Sequence, residues 1–258
     1  MKKLLPLLGL LLFATALASQ GIGGKGGIGG NNGGFGGGAS AGAAPAEVQG
    51  GKCHGTSTCT VTLSSNTTAG HSLLVGIVED NSTQIAVSSV VHTGDSITCT
   101  ATSNSGFNPG TALGGSLPGG LFIYLCPSMT TTGKPVVITL ASAASSFNAY
   151  VQEYTVITAV DAVPAGNGTS STTFASNATG TLNFANEVGF GVDNSTQFLT
   201  PNGTPFTLPS TCPSPTICQD SNFNAEAMYQ AIVSSAASIT LAGTQTSGAT
   251  GLLIATFH

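Results

Sequence analysis

Apolar, β-branched and aromatic residues occur in this chain as short runs between clusters of Gly, Pro, Asn and Ser, and nowhere is an apolar repeat of helical period sustained. Such runs predict strands at 58–63, 72–78, 85–91, 96–102, 120–126, 135–141, 147–157, 170–175, 186–192, 225–234, 237–242 and 249–257. Many short strands with turn residues between them predict an antiparallel sandwich or barrel rather than parallel βαβ units. The longest run alternates. Phe147, Ala149, Val151, Glu153 and Thr155 share one face, and Asn148, Tyr150, Gln152 and Tyr154 the other. Neither face is wholly polar, which predicts a place in the middle of a sheet.

The N-terminus reads as an address. Lys2 and Lys3 precede an apolar run too short to span a bilayer, and Ala16-Leu17-Ala18 offers a small-x-small cleavage pattern, so 1–18 is expected to be a signal peptide. A Gly-rich leader at 19–45 follows, with too few side chains to offset the entropy of ordering glycine. Gly21, Gly23 and Gly26 spell a dinucleotide-binding pattern, but no strand precedes them and no helix follows, so the match is chance. Residues 46–258 are expected to form one β-sandwich domain, secreted or at the cell surface, with no membrane insertion once the signal is removed.

Only 6% of residues are charged, and the formal net charge is −5. Removing Lys2 and Lys3 leaves three lysines against ten acids, or −7, with no arginine. Nucleic acids and anionic membranes, which are met by clustered Lys and Arg, are therefore disfavoured partners. With so few lysines to protect edge strands, edge-to-edge association with further copies is expected to be easy.

Six cysteines, an even set in an exported chain, favour disulfides. Spacing pairs Cys53 with Cys59, Cys99 with Cys126 and Cys212 with Cys218. A metal site on Cys53, His54 and Cys59 lacks the second close pair that would complete four ligands.

The order of Thr68-Ala69-Gly70-His71-Ser72-Leu73-Leu74-Val75, Val87-Ser88-Ser89-Val90, Phe122-Ile123-Tyr124, Val136-Val137-Ile138-Thr139-Leu140 and Glu153-Tyr154, with Asp161 beyond, resembles bacterial secreted modules with a jelly-roll, concanavalin-like sandwich. Asn186 to Gly191 and Ala249 to Phe257 fit the later strands of that pattern. The chain departs from it at His92-Thr93-Gly94-Asp95 and in the loop from Cys212 to Cys218. The resemblance implies an antiparallel jelly-roll-type sandwich and no established activity.

No nucleophile elbow, metalloprotease helix, phosphate loop or calcium loop is present, and no cofactor is implied. His54, His71, His92 and His258 read as surface polar residues. Glu79 and Asp80 are adjacent in a turn and point apart, unlike the paired acids of glycoside hydrolysis. Glu153 lies on an otherwise apolar strand face, so it is expected to make a structural polar contact with Asp161 or to form a weak calcium site with it. Tyr150 and Tyr154, about 13 Å apart at 3.3 Å per residue, form a candidate sugar-stacking pair or part of the core. Six N-x-S/T sequons are expected from composition alone. The expected function is a non-enzymatic structural, adhesive or surface-interaction role, toward further copies or a cell-wall or extracellular polysaccharide. The alternatives are a carbohydrate-binding module and a hydrolase with an unrecognised site.

Overall fold

The computed structural model describes residues 43–113, 117–130, 133, 135–155, 157–210, 219–220 and 225–258. The signal peptide and most of the leader expected from the sequence, together with Cys212 and Cys218, lie outside these residues. The chain runs through β1 (Glu47–Gly55), β2 (Thr58–Thr62), β3 (Ser72–Asp80), β4 (Val87–His92), β5 (Ile97–Thr98) and β6 (Thr100–Ala101) to a single helical turn, α1 (Pro109–Ala112). It continues with β7 (Gly120–Cys126), β8 (Pro135–Leu140), β9 (Ser146–Tyr154), β10 (Asn167–Ser170), β11 (Thr173–Ala175) and β12 (Glu187–Ser195). The last strands are β13 (Thr200–Pro201), β14 (Gln219–Asp220), β15 (Ala225–Val233), β16 (Ala242–Thr244) and β17 (Ala249–Phe257). All pairings are antiparallel.

These strands form four sheets rather than the two of a single sandwich. Sheet A has the order β1-β9-β3-β7-β6, sheet B β2-β8-β4-β5, sheet C β10-β17-β12-β15-β14 and sheet D β11-β16-β13. Alternation along β3 and β9 sends Leu73, Val75, Ile77, Phe147, Ala149 and Val151 into a core shared with Val61, Val90, Val136 and Ile138 of sheet B. The intervening Leu74, Val78, Tyr150 and Tyr154 enter a second core with Val188, Phe190, Val192, Met228 and Leu253 of sheet C. A third core lies between sheets C and D, around Phe174, Phe206, Tyr229, Leu241 and Ile254. The stack is therefore B, A, C, D, and the two inner sheets are covered on both faces. This is why every residue of β3, β9, β12 and β17 is buried, including the polar ones.

The two halves share a strand order. Substituting β10, β11, β12, β13, β15, β16 and β17 for β1, β2, β3, β4, β7, β8 and β9 turns sheet A into sheet C and sheet B into sheet D, apart from short edge strands. The corresponding strands β3 and β12 also carry a similar run. Val75 to Gln84 reads VGIVEDNSTQ and Val188 to Gln197 reads VGFGVDNSTQ, identical at seven of ten positions. The runs sit one residue out of step with the sheet faces. An added Cβ on Gly76 would meet Val192 and Phe190 of sheet C, whereas one on Gly189 would meet Ile239 and Phe206 on the sheet D side. A shift of one residue exchanges the faces of a strand, so the two copies of Val-Gly pack in different layers.

Cys53 bonds to Cys59 and Cys99 to Cys126, with Cα separations of 5.8 and 4.2 Å, matching the pairing read from spacing. The first staples the passage from β1 in sheet A to β2 in sheet B. The second closes the longer loop, 27 residues against 6. In the chain-entropy account the longer loop contributes about 3–4 kcal/mol and the shorter about 2 kcal/mol. Two disulfides point to an oxidising, extracellular environment. Among the described residues no helix is long and apolar enough to cross a membrane.

Most sheet edges are blunted by brevity rather than by lysine. The outermost strands β5, β6, β13 and β14 have two residues each and β11 three, too short to template pairing with another chain. The longer edges are β1, with nine residues, β2, with five, and β10, with four.

Candidate functional site

Six of the ten acids, Glu79, Asp80, Glu153, Glu187, Asp193 and Glu226, are fully buried. Buried carboxylates must be hydrogen-bonded, paired or protonated, so the partners of each one define the chemistry available.

Glu153 accepts at Oε2 from Gln49 Nε2 (2.6 Å), and at Oε1 from the Thr68 N–H (3.0 Å) and from His71 Nδ1 (2.7 Å). Gln49 in turn accepts from the Ser65 N–H (2.9 Å) and the Ser64 hydroxyl (2.9 Å). Glu153 thus ties β1 and the 64–71 loop to β9. Asp161 is occupied elsewhere, accepting from the backbone and side chain of Asn183. The expected Glu153–Asp161 contact is not formed, because each acid satisfies the backbone and amide donors beside it. Among the described residues no group of three or more His, Cys, Asp and Glu is disposed to hold a metal ion. Glu153→Gln is expected to cost about 1–3 kcal/mol through the lost charged hydrogen bonds. Chelator should leave the melting temperature of both proteins unchanged, and a fall in the wild type alone would reinstate a cation there.

The tyrosine pair is corrected by the packing. Tyr150 and Tyr154 are both 0% exposed in the core between sheets A and C, so neither offers a ring face to a sugar. Tyr154 donates to Gln230 Oε1 (2.6 Å), and Gln230 Nε2 donates to Glu47 (2.5 Å). The face opposite Glu153 is covered by a second sandwich, which the alternation of one strand does not reveal.

His92 is also corrected, since it is fully buried rather than a surface turn residue. Its Nδ1 lies 2.8 Å from Asp95 Oδ1 and its Nε2 3.2 Å from Thr67 Oγ1. The order Thr, His, acid is that of an activated hydroxyl nucleophile. Here Thr67 is also fully buried and donates to the Gly133 carbonyl (3.0 Å). Gly94 and Gly133 close over the ring, where a Cβ on Gly94 would lie 2.7 Å from Gly133 Cα. Burial raises the Asp95 pKa, but the bonds from His92 and the Thr130 and Ile97 N–H groups outweigh it and hold the carboxyl below its ordinary range. The group clasps three loops together. His71, bonded to Glu153, is partly buried; His54 is exposed on β1, and His258 stacks on Phe184 with ring centroids 3.7 Å apart.

A fully buried polar group sits at the joint of the two sandwiches. Asp80 at the end of β3 and Asn148 on β9 face Asn194 on β12 and Glu226 on β15, all 0% exposed. The bonds cross the joint in both directions: Asn148 Nδ2 of sheet A donates to Glu226 Oε2 of sheet C (2.7 Å), and Asn194 Nδ2 of sheet C donates to Asp80 Oδ1 of sheet A (2.9 Å). Asn194, the donor to Asp80, is the register partner of Glu226, so the two carboxyl groups are brought to the same place in the joint. Burial, then the contact with Asp80, push the Glu226 pKa well above the carboxylate range. Directly behind, on the other face of sheet C, Asp193 accepts from the Ala227 N–H (2.7 Å) and the Ser195 hydroxyl (2.8 Å), yet burial still pushes it up to about 7. Glu79 is raised to about 7 by burial and, less strongly, by adjacent Asp80. Acids in direct contact have no room between them for the attacking water of an inverting glycosidase, whose carboxyls stand roughly 6.5–9.5 Å apart, and solvent does not reach the pair. Near its rim, Ser82, Asn108, Gly110, Thr111 and Pro118 line an open polar depression.

Asn148, Asn194 and Glu226 are not candidates in the sequence reading, and Asp80 enters it only beside Glu79, as a pair unlike that of a glycosidase. The signal that could have found two of them is the repeated D-N-S-T-Q at 80–84 and 193–197. No family model matches this chain, and neither does any curated protein.

Proposed function

We propose that this chain is a secreted, non-enzymatic surface protein of two jelly-roll sandwiches, preceded by a signal peptide at 1–18 and a glycine-rich leader, and related in kind to bacterial secreted jelly-roll modules. Numbering β1 to β5 and β7 to β9 as strands one to eight, the first half has the order 1-8-3-6 over 2-7-4-5, the wrapping of a jelly roll, and the repeated order of the second half supports the same reading there. Its role is cohesion, by association with further copies or with a neutral extracellular polysaccharide.

The observation that carries this reading is β2. Among the described residues it pairs on one side with β8, and its other edge belongs to no sheet. Its outward side chains, Thr58, Thr60 and Thr62, are exposed and uncharged, and Cys59 between them is held by the disulfide to Cys53. An edge of threonines with no lysine or proline lacks the usual protection against strand addition. Light scattering of the purified protein across a concentration series, with a pull-down on insoluble wall polysaccharide, tests the role. Association or polymer binding that is lost in Thr60→Lys is the expected result. A wild-type protein that stays monomeric at high concentration and leaves the polymer unbound would overturn it.

A further inference from the structure

Two carboxyl groups hydrogen-bond to each other when one of them carries a proton, because ionised carboxylates have acceptors alone. At the joint, Asp80 Oδ1 is occupied by Asn194 and Glu226 Oε2 by Asn148. The remaining oxygens, Asp80 Oδ2 and Glu226 Oε1, are out of solvent, and the two acids are brought together through Asn194, which donates to Asp80 and is the register partner of Glu226. Each acid belongs to a different sandwich. We propose that a single proton shared by Asp80 and Glu226 bolts the two sandwiches together, so that their joint is a pH-responsive contact, closed in acid and loosened when that proton is lost.

The surroundings favour the protonated state. Glu79 precedes Asp80 on β3 and Asp193 precedes Asn194 on β12, each facing away from the joint but adding negative charge nearby; Tyr229 of β15 lies near Asp193. Asp220 of β14 is the register partner of Glu226. From β1 come His54, whose Nδ1 lies 3.0 Å from Asn148 Oδ1, and half-buried Lys52, the register partner of Tyr150. β7 and β17 present Leu121, Ile123 and Leu253 to this core. His54 therefore reaches the pair through the Asn148 amide rather than by direct contact. A second ionisation would set two charges against each other in a dry joint flanked by further acids. A proton held between the two carboxyls belongs to the pair rather than to either residue.

The test is the unfolding equilibrium of the full chain by denaturant between pH 5 and 9, in the wild type, Asp80→Asn and Glu226→Gln. A retained proton makes the wild-type unfolding constant rise up to tenfold per pH unit where the folded state alone holds that proton. Each variant should lose about one proton from this slope, because an amide donates without titrating. Parallel curves in all three proteins would overturn the proposal. Residue-assigned carboxyl 13C titration of the wild type decides independently of whether the variants fold. One proton retained on the pair at pH 7 is expected, and Asp80 and Glu226 both ionised at pH 6 would overturn the bolt.

Discussion

The melting temperature of this protein should fall as pH rises from about 4.5 to 8, by about 10 °C or more, the reverse of a protein stabilised by ionised acids. Burial of Glu79, Glu187 and Asp193 is the first cause of pKa values raised to about 7, against about 4 in an unfolded chain. Between those values the folded state binds protons that the unfolded chain has released, so stability decreases with rising pH until the folded groups have titrated. The contribution is fully present below about pH 4 and lost through about pH 7. Each pKa unit is worth about 1.4 kcal/mol; allowing for relaxation around an ionised group, each acid accounts for on the order of 1–3 kcal/mol. Asp95 and Asp161 act oppositely. For both, burial raises the pKa but hydrogen bonds, from His92 and from Asn183 respectively, leave it lowered, so their share is lost as pH falls below about 4. The optimum should lie near pH 4–5. Calorimetry at pH 4.5, 6 and 8 with the disulfides intact checks this, and a flat or rising profile would refute it.

The second large effect is expected from Phe190→Ala, at about 3–5 kcal/mol. Phe190 is fully buried between sheets A and C, with its ring against Gly76 of β3. Glycine has no side chain that could move into the space a removed ring leaves, so the cavity should persist and the cost lie toward the upper end. The complementary change, Gly76→Ala, places a Cβ 2.2 Å from Val192 Cγ1 and should cost about 1–3 kcal/mol by overpacking. Adding Val192→Ala to Gly76→Ala should recover part of that loss, since the two changes share one contact. Denaturant midpoints of these three variants measure all of this. A loss below about 1 kcal/mol for Phe190→Ala would mean that the sandwiches do not pack through this ring.

Both predictions depend on the face-to-face packing of two sandwiches, and that packing marks where sequence reasoning stopped. The β class and eleven of the twelve predicted runs correspond to strands at nearly their observed positions, because period-two alternation and turn residues act locally. The run at 237–242 instead precedes β16, supplying Ile239 and Leu241 to the third core. β1 escaped notice. Its Glu-Val-Gln-Gly-Gly-Lys-Cys-His-Gly is poor in strand formers, and it is extended through pairing with β9 and the tie to Cys59. The local cysteine pairs were legible for the opposite reason, since a separation of six residues limits what Cys53 can reach.

The candidate site was far less legible than the fold. Alternation placed Tyr150 and Tyr154 on one face of β9 and Glu153 on the other, and the structure keeps that division. What covers each face is a property of contacts far apart in sequence, 82 residues for Glu153 with His71 and 76 for Tyr154 with Gln230, and no local period encodes it. Hence the tyrosines became core, Glu153 found Gln49 and His71 rather than Asp161, and the polar residues with most at stake proved to be Asp80, Asn148, Asn194 and Glu226.

The amino-acid sequence by itself determined that this chain makes antiparallel sheets, that its nearby cysteines pair, and that its surface must be covered with few charges. Only the tertiary structure decided that there are two sandwiches rather than one, and that the scarce acids lie inside and between them. Strand formation depends on neighbours along the chain, whereas the ionisation of a buried acid depends on which distant groups exclude water from it.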